Sequence, residues 1–269
     1  MQLNFYTPQH IDLRHYIEGY YFITRNQPQK SLRYFTFPNN YCILSVNRNA
    51  DIQRQHHRYL VRFEADGQLH TSIVTRYIQP LEIVYQEPVD EITIYFKPLA
   101  INHFMADSVR LLGRENIDNF NPFADFGQTM QLIFDTQDRP TQINLLEQYW
   151  LSKWQPRPDL EQVQQLIANM DGDTKIEEIA QKYQCSRQHL NRLFRKYLGK
   201  SPAEFRKILR FRAAIANYGH AHNLTDLSHG FYFYDQSHFI RDFKALTGIL
   251  PKDFFRNVNT DKGNIWLLA

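Results

Sequence analysis

His189-Leu190-Asn191-Arg192-Leu193-Phe194-Arg195, followed by Gly199 and Pro202, returns as His238-Phe239-Ile240-Arg241-Asp242-Phe243-Lys244, followed by Gly248 and Pro251. A shift of forty-nine residues superposes His, a large apolar residue, Arg, Phe, a basic residue, Gly and Pro. Apolar residues recur at helical spacing and basic residues fall on the opposite side, so the chain carries two copies of one helical unit.

Helix signals surround the first copy. Asp159 is a candidate cap for a helix over Leu160–Asn169. Thr174 and Glu177 have the spacing of a capping box, in which each side chain accepts a backbone N–H at the helix start. Ile176, Ile179, Ala180 and Tyr183 then occupy one face, with Ala180 small where another helix must cross. Ser186 caps the next helix, on which Leu190, Leu193, Phe194 and Tyr197 are the inward set. Gln188, Asn191, Arg192 and Arg195 lie opposite, and this quartet has the donors and acceptors to read base edges in a major groove. Two helices joined by a tight turn, the second bearing such a face, form a helix-turn-helix.

Gly199 ends that helix, and Ser201, Pro202 and Glu204 open another that runs to about Tyr218. Phe205, Ile208, Phe211 and Ile215 form its apolar side, with Arg206, Lys207, Arg210 and Arg212 on the polar side. It is long enough to connect two units. In the second unit Leu224, Leu227, Ser228 and Phe231 repeat the first spacing, and a capped helix opens near Tyr234 or Asp235. Phe239, Phe243 and Leu246 turn inward there, Ser237, Ile240, Arg241 and Lys244 outward, with Gln236 at the tip. Pro251 begins a short last helix containing Phe254 and Phe255.

Charge separates the two halves. Residues 157–269 hold 17 Lys and Arg against 12 Asp and Glu, whereas residues 1–156 hold 14 against 16. Between Lys175 and Arg212 stand 11 basic residues against Glu177, Glu178 and Glu204, a local excess that suits a polyanion. Cys42 and Cys185 fall in different halves and form no metal-ligand spacing, which fits reduced cysteines. No apolar run approaches the roughly 18 residues that span a bilayer, and the start Met1-Gln2-Leu3-Asn4 lacks signal-peptide character. The expected location is the cytoplasm, with no membrane partner.

In the first half, Tyr20–Ile23, Tyr41–Val46, Arg58–Phe63, Leu81–Tyr85 and Glu91–Phe96 read as strands. Turns such as Pro38-Asn39-Asn40 and Ala65-Asp66-Gly67 separate some of them. Strands at this spacing without intervening helices predict a largely antiparallel sandwich or barrel. A short helix over Leu99–Met105 packs on the sheet; the segment from Asp107 to Asp135 is ambiguous. A helix over Thr141–Trp154 carries Ile143, Leu146, Trp150 and Trp154 for core, or in part for a subunit interface. Gln155-Pro156-Arg157-Pro158 stops it and marks the boundary between a first domain (1–156) and a second (157–258), with a tail over 259–269.

His56, His57, His70 and His103 are the first half's best metal-ligand candidates. No His-x-His pair with a following carboxylate, phosphate loop or serine elbow accompanies them, and Gln53–Arg58 reads as a solvated polar loop. Catalytic residues, metal ligands and cofactors are accordingly none, and the chain is expected not to be an enzyme.

Tyr234-Asp235-Gln236-Ser237-His238-Phe239-Ile240-Arg241-Asp242-Phe243-Lys244 with Gly248 and Pro251 resembles the signature of AraC/XylS-type transcription regulators, a likeness that extends over residues 159–256. The resemblance implies a multidomain chain: a β-rich α+β domain, sandwich or barrel-like, then an all-α domain of seven helices with two helix-turn-helix units. In that domain a long helix sets both reading helices in successive major grooves. Base-reading positions would be Gln188, Asn191 and Arg192, then Gln236, Ser237 and Arg241. Arg195, Lys200, Arg206, Lys207, Lys244 and Lys252 are the candidates for phosphate contacts. The family often has Gly in the helix-turn-helix turn; Gln184 and Tyr232 stand there, so a left-handed residue costing about 1 kcal/mol is expected. Tyr95-Phe96-Lys97-Pro98 and the short helix after it are similar to the β-rich domain of one branch of the family. The implied function is a sequence-specific regulator acting on double-stranded DNA with RNA polymerase, its first domain sensing a small-molecule effector, forming a homodimer, or both. The alternatives are control by a protein partner, or a metal-dependent enzyme fused to a DNA-binding module.

Overall fold

The computed structural model describes residues 4–25, 32–65, 68–112, 114, 116–171, 174–218 and 236–257. Among the described residues, ten strands form two sheets. The first sheet contains β1 (Phe5–Tyr6), β2 (Ile17–Ile23), β4 (Cys42–Arg48), β7 (His70–Val74), β9 (Asp90–Phe96) and β10 (Asn116–Asp118), in the order β1-β2-β9-β4-β7-β10. The second contains β3 (Leu32–Thr36), β5 (Ala50–Gln55), β6 (Arg58–Phe63) and β8 (Leu81–Tyr85), in the order β3-β8-β6-β5. Every pairing is antiparallel except β6 with β8.

All five expected strands are present. The others are short or interrupted by polar residues. The polar stretch read as a loop is a correction: Gln53–Gln55 continue β5 and pair with Arg58–Leu60, so only His56-His57 turn. The two residues, with His56 left-handed at φ 54°, make the tight turn of a hairpin that joins β5 to β6.

Period-two alternation divides the first sheet into two faces. On β9, Ile92, Ile94 and Phe96 join Tyr20, Phe22, Leu44 and Val46 in one core; Glu91, Thr93 and Tyr95 point the other way, toward the second sheet. The first core is covered by α1 (Ile101–Phe104), α3 (Phe126–Asp135) and α4 (Arg139–Lys153), with α2 (Ser108–Leu111) beside α1. Asp138 caps α4 by accepting Thr141 N–H at 2.8 Å. Ile143, Leu146, Tyr149 and Trp150 of α4 are buried in this core, and Trp154 just beyond it lies at the surface. Glu147 is buried too, accepting from the backbone N–H groups of Gln9 and His10 and from the Tyr20 hydroxyl, which ties the N-terminal segment to α4.

The C-terminal half has helices α5 (Glu161–Ala168), α6 (Ile176–Lys182), α7 (Arg187–Leu198), α8 (Pro202–Asn217), α9 (Gln236–Thr247) and α10 (Pro251–Asn257). Two helix starts differ from expectation. Asp159 does not cap α5: a 3-10 turn over Pro158–Leu160 precedes that helix, and the carboxylate pairs with Arg157 at 2.8 Å. The box at α6 is displaced by one residue. Glu178 accepts the Lys175 N–H at 3.3 Å, while Glu177 pairs with Arg187. Lys175 has no acceptor to complete the reciprocal bond.

The other caps form as read. Ser186 Oγ accepts His189 N–H, and Ser201 and Glu204 bond reciprocally at the start of α8. Such caps contribute about 1 kcal/mol each. Gly199 (φ 67°) and Gly248 (φ 78°) end α7 and α9 in the left-handed region. Gln184 is also left-handed, at φ 48°, between α6 and α7. The second unit's first helix, read from Leu224, Leu227, Ser228 and Phe231, and the turn at Tyr232 lie outside the described residues, as does the expected helix opening at Tyr234 or Asp235.

The halves are packed together. Leu99, itself left-handed at φ 67°, enters the core built by α5, α6, α7 and the start of α8. Phe37 enters the core of α8, α9 and α10, with its ring 5.0 Å from that of Phe254.

Candidate functional site

The amphipathic division of α7 is sharp. Leu190 and Phe194 are fully buried, Tyr197 is nearly so, and Gln188, Arg192 and Arg195 are exposed, with Asn191 half-buried beside them. Burial of the first set against α5, α6 and Phe205 holds the second set outward, which makes that face a consequence of core packing. Arg192 lies 3.0 Å from His189 Nδ1, and neither Arg192 nor Arg195 joins an ion pair among the described residues. Such cations are available to an external anion.

On α9, Phe239, Phe243 and Leu246 are buried and Gln236, Ser237, Arg241 and Lys244 are exposed, with Ile240 half-buried. Lys252 on α10 is exposed as well. The base-reading candidates therefore stand on two solvent-facing helix surfaces.

Three of the cations chosen for phosphate contact stand elsewhere. Lys200 is 1% exposed and donates to Thr75 O at 3.2 Å; burial pushes its pKa down to about 8. The residue after the α7 glycine faces the first domain, so its ammonium is enclosed there rather than presented to solvent. Arg206 is half-buried and donates to Thr174 O at 2.8 Å. Lys207 is bound to Asp242 at 3.3 Å. Arg195, Lys244 and Lys252 are the exposed members of the set.

The polar side of α8 is likewise engaged. Asp242 gathers Lys207, Arg210 (3.0 Å) and His238 (3.1 Å), and the Arg210 and Asp242 side chains are both largely buried. Arg212 donates to Pro38 O at 2.7 Å and to Phe37 O, and burial lowers its pKa to about 10. Asn40 donates to Phe205 O, Asn102 to Tyr197 O, and Arg76 pairs with Glu204. Polar groups of α7, α8 and the turn between them thus anchor the C-terminal helices to α1 and to the chain just beyond β3 and β7.

A feature that the sequence reading missed lies between the two sheets. A cavity of about 90 Å³ is lined by tyrosines, aliphatic side chains and the inward residues of β4, β7 and β9. Glu91, 3% exposed, stands at its wall and accepts from Tyr21 OH (2.6 Å), Thr93 Oγ1 (2.6 Å) and Tyr85 OH. Its pKa is raised, mainly by burial. Asn47 lies opposite Glu91 on the neighbouring strand β4 and is 3% exposed. The available signal was a carboxylate at an inward position of an alternating strand, Glu91-Ile92-Thr93-Ile94-Tyr95.

The histidines are dispersed. His56 and His57 are exposed in a turn, His70 is half-buried on β7, and His103 stacks on Trp154 at 6.2 Å. Among the described residues, no three His, Cys, Asp or Glu side chains gather as a metal site requires. Cys42 is free and buried, its thiol pushed up to about 11 by burial, and Cys185 is free and half-buried. No helix among the described residues is long and apolar enough to cross a membrane.

Residues 179–257 match a family model described as a helix-turn-helix domain. The HTH-type transcriptional regulator YkgA of Escherichia coli (strain K12) is 33% identical over 109 residues, which cover 39% of this chain and 46% of that protein. The matched stretch thus spans about half of that relative's length. Among solved structures, ToxT from Vibrio cholerae aligns with a TM-score of 0.46 and 9% identity, covering 88% of this chain and 96% of ToxT. A structure of unsaturated fatty acid bound wild-type ToxT from Vibrio cholerae strain SCE256 aligns at 0.44 and 12%, covering 87% and 92%.

Proposed function

We propose, from a C-terminal region that is a helix-turn-helix domain of the AraC type, that this protein is a sequence-specific DNA-binding transcription regulator. The observation that carries the reading is the exposed, unneutralised face of α7, where Gln188, Asn191 and Arg192 are set to read base edges and Arg195 to meet a phosphate. The corresponding face of α9 supplies Gln236, Ser237 and Arg241 as the second reader, with Lys244 and Lys252 for phosphates. The faces differ in chemistry, so the two half-sites differ in sequence.

The first domain is the sensing half in this reading. Two observations support it: the tyrosine-lined cavity, and the position of the domain contacts at its rim. Thr36 lines the cavity and the next residue, Phe37, accepts from Arg212; Val74 lines it and the next, Thr75, accepts from Lys200. A molecule that shifts either strand end therefore acts on α8, which connects the two reading helices. The direct test replaces Arg192 and Arg241 separately with Ala and measures binding to the cognate operator and to random DNA. Each substitution is expected to remove about 1–3 kcal/mol from operator binding alone. Equal loss on both DNAs overturns the assignment of those residues to specificity.

A further inference from the structure

The cavity between the sheets has an unusual balance of polar groups. Glu91 already takes three hydroxyl donors, two of them on Oε1, which leaves Oε2 room for one more. Asn47 Oδ1, directly across the strand pair, is buried with no hydrogen-bond partner among the described residues. Buried acceptors in folded proteins are nearly always satisfied, so this one takes a donor from inside the cavity, from water or from a ligand that displaces it. Both open positions on this sheet face are acceptors on neighbouring strands; Thr36 Oγ1 and Tyr77 OH, elsewhere on the cavity wall, are buried hydroxyls that can donate or accept and have no hydrogen-bond partner among the described residues.

The remaining walls do not supply that donor as a cation. No Lys, Arg or His among the described residues lines the cavity, and Glu91 joins no ion pair. Aromatic faces take that place. Tyr34 stacks on Tyr85 at 6.2 Å, and Tyr21 packs on Tyr95 at 6.4 Å. A carboxylate enclosed by aromatic rings is the combination that recognises an ammonium group, through charge-assisted hydrogen bonds on one side and ring quadrupoles on the other. A carboxylate ligand would meet the Glu91 carboxylate at like charge, and a purely apolar one would displace water from Asn47 Oδ1 without replacing its hydrogen bond. Burial disfavours the charged form of Glu91 in the absence of such a partner, as its raised pKa reflects.

We propose that the cavity between the two sheets binds a small organic cation bearing a protonated amine, held by Glu91 and Asn47 and boxed by Tyr21, Tyr34, Tyr85 and Tyr95. The proposal rests on the reading of the first domain as the regulator's sensing half. It adds the chemical class of the molecule sensed.

The test uses the purified full chain at pH 7, titrated calorimetrically with n-butylamine, phenethylamine, n-butanol and butyrate, with DNA binding measured on the same preparation. At least one amine is expected to bind saturably, and the alcohol and the acid to bind at least tenfold more weakly. Glu91→Gln is expected to weaken the amine at least tenfold and Asn47→Leu several-fold, each with the near-UV circular dichroism of the parent. Should Glu91→Gln fail to fold, Asn47→Leu decides. DNA binding with no saturable amine binding overturns the cation assignment, as does undiminished amine binding to the folded variants. Amine binding without binding to any DNA sustains the cage and removes the regulator reading instead.

Discussion

The two copies of the repeated unit differ most at the residues that follow their helix-ending glycines. After Gly199 comes Lys200, 1% exposed; after Gly248 comes Ile249, 40% exposed. Charge is inside and hydrocarbon outside, the reverse of what side-chain chemistry favours alone. The cause is position in the assembly. The end of α7 abuts the first domain, where Thr75 O receives the Lys200 ammonium, whereas the end of α9 faces away from that contact. A second contrast sits within the repeat itself. Leu193 of the first copy is replaced by Asp242 in the second, and that carboxylate collects Lys207, Arg210 and His238. Beyond its own apolar core, the first copy thus adds a buried ammonium at the contact with the N-terminal half, and the second an ionic cluster to the connecting helix.

The largest expected effect tests the ionic cluster. Asp242→Ala leaves the largely buried Arg210 without its carboxylate and is expected to cost about 3–5 kcal/mol, read from denaturant unfolding. A loss under about 1 kcal/mol would place the stability of the second copy in its aromatic core instead.

The next tests the buried lysine through pH. Its folded pKa of about 8 lies below the ordinary 10.5, so between these values the unfolded chain binds more protons and stability rises with pH. Relative to Lys200→Met, the wild type is expected to gain up to about 3 kcal/mol as pH climbs from 7 to 10.5. A constant gap would show the ammonium to be solvated.

A smaller effect separates the two kinds of cation on DNA. Arg195→Ala is expected to reduce the slope of log affinity against log salt by about 1, and Lys200→Met to leave it unchanged. An equal change for both would mean that Lys200 emerges when DNA binds. Smallest of all, Ile249→Lys is expected to alter stability by no more than about 0.5 kcal/mol, since the side chain is open to water.

The legible part of the fold was the part governed by local rules. Ser186, Gly199, Ser201 and Glu204 stand where capping chemistry puts them, because each bond closes within a few residues of chain. The left-handed Gln184 was anticipated through the resemblance, since it stands where the family often has Gly. The five strongest strands announced themselves through β-branched and aromatic alternation. The two-residue β1 and three-residue β10 are too short to show an alternation, and β3, Leu32-Arg33-Tyr34-Phe35-Thr36, breaks its apolar pattern with a charge and a polar end. Arg212 and Lys200 read as solvent-facing cations because their partners, the carbonyls of Phe37 and Thr75, lie more than a hundred residues away.

By itself the sequence determined two amphipathic helices and which of their side chains face outward, because amphipathic spacing acts over one or two turns. The tertiary structure decided which cations are free to meet a phosphate, and that Glu91 and Asn47 share one buried wall. Both outcomes depend on strands and domains brought together across the whole chain, where desolvation and distant backbone carbonyls outweigh local preference.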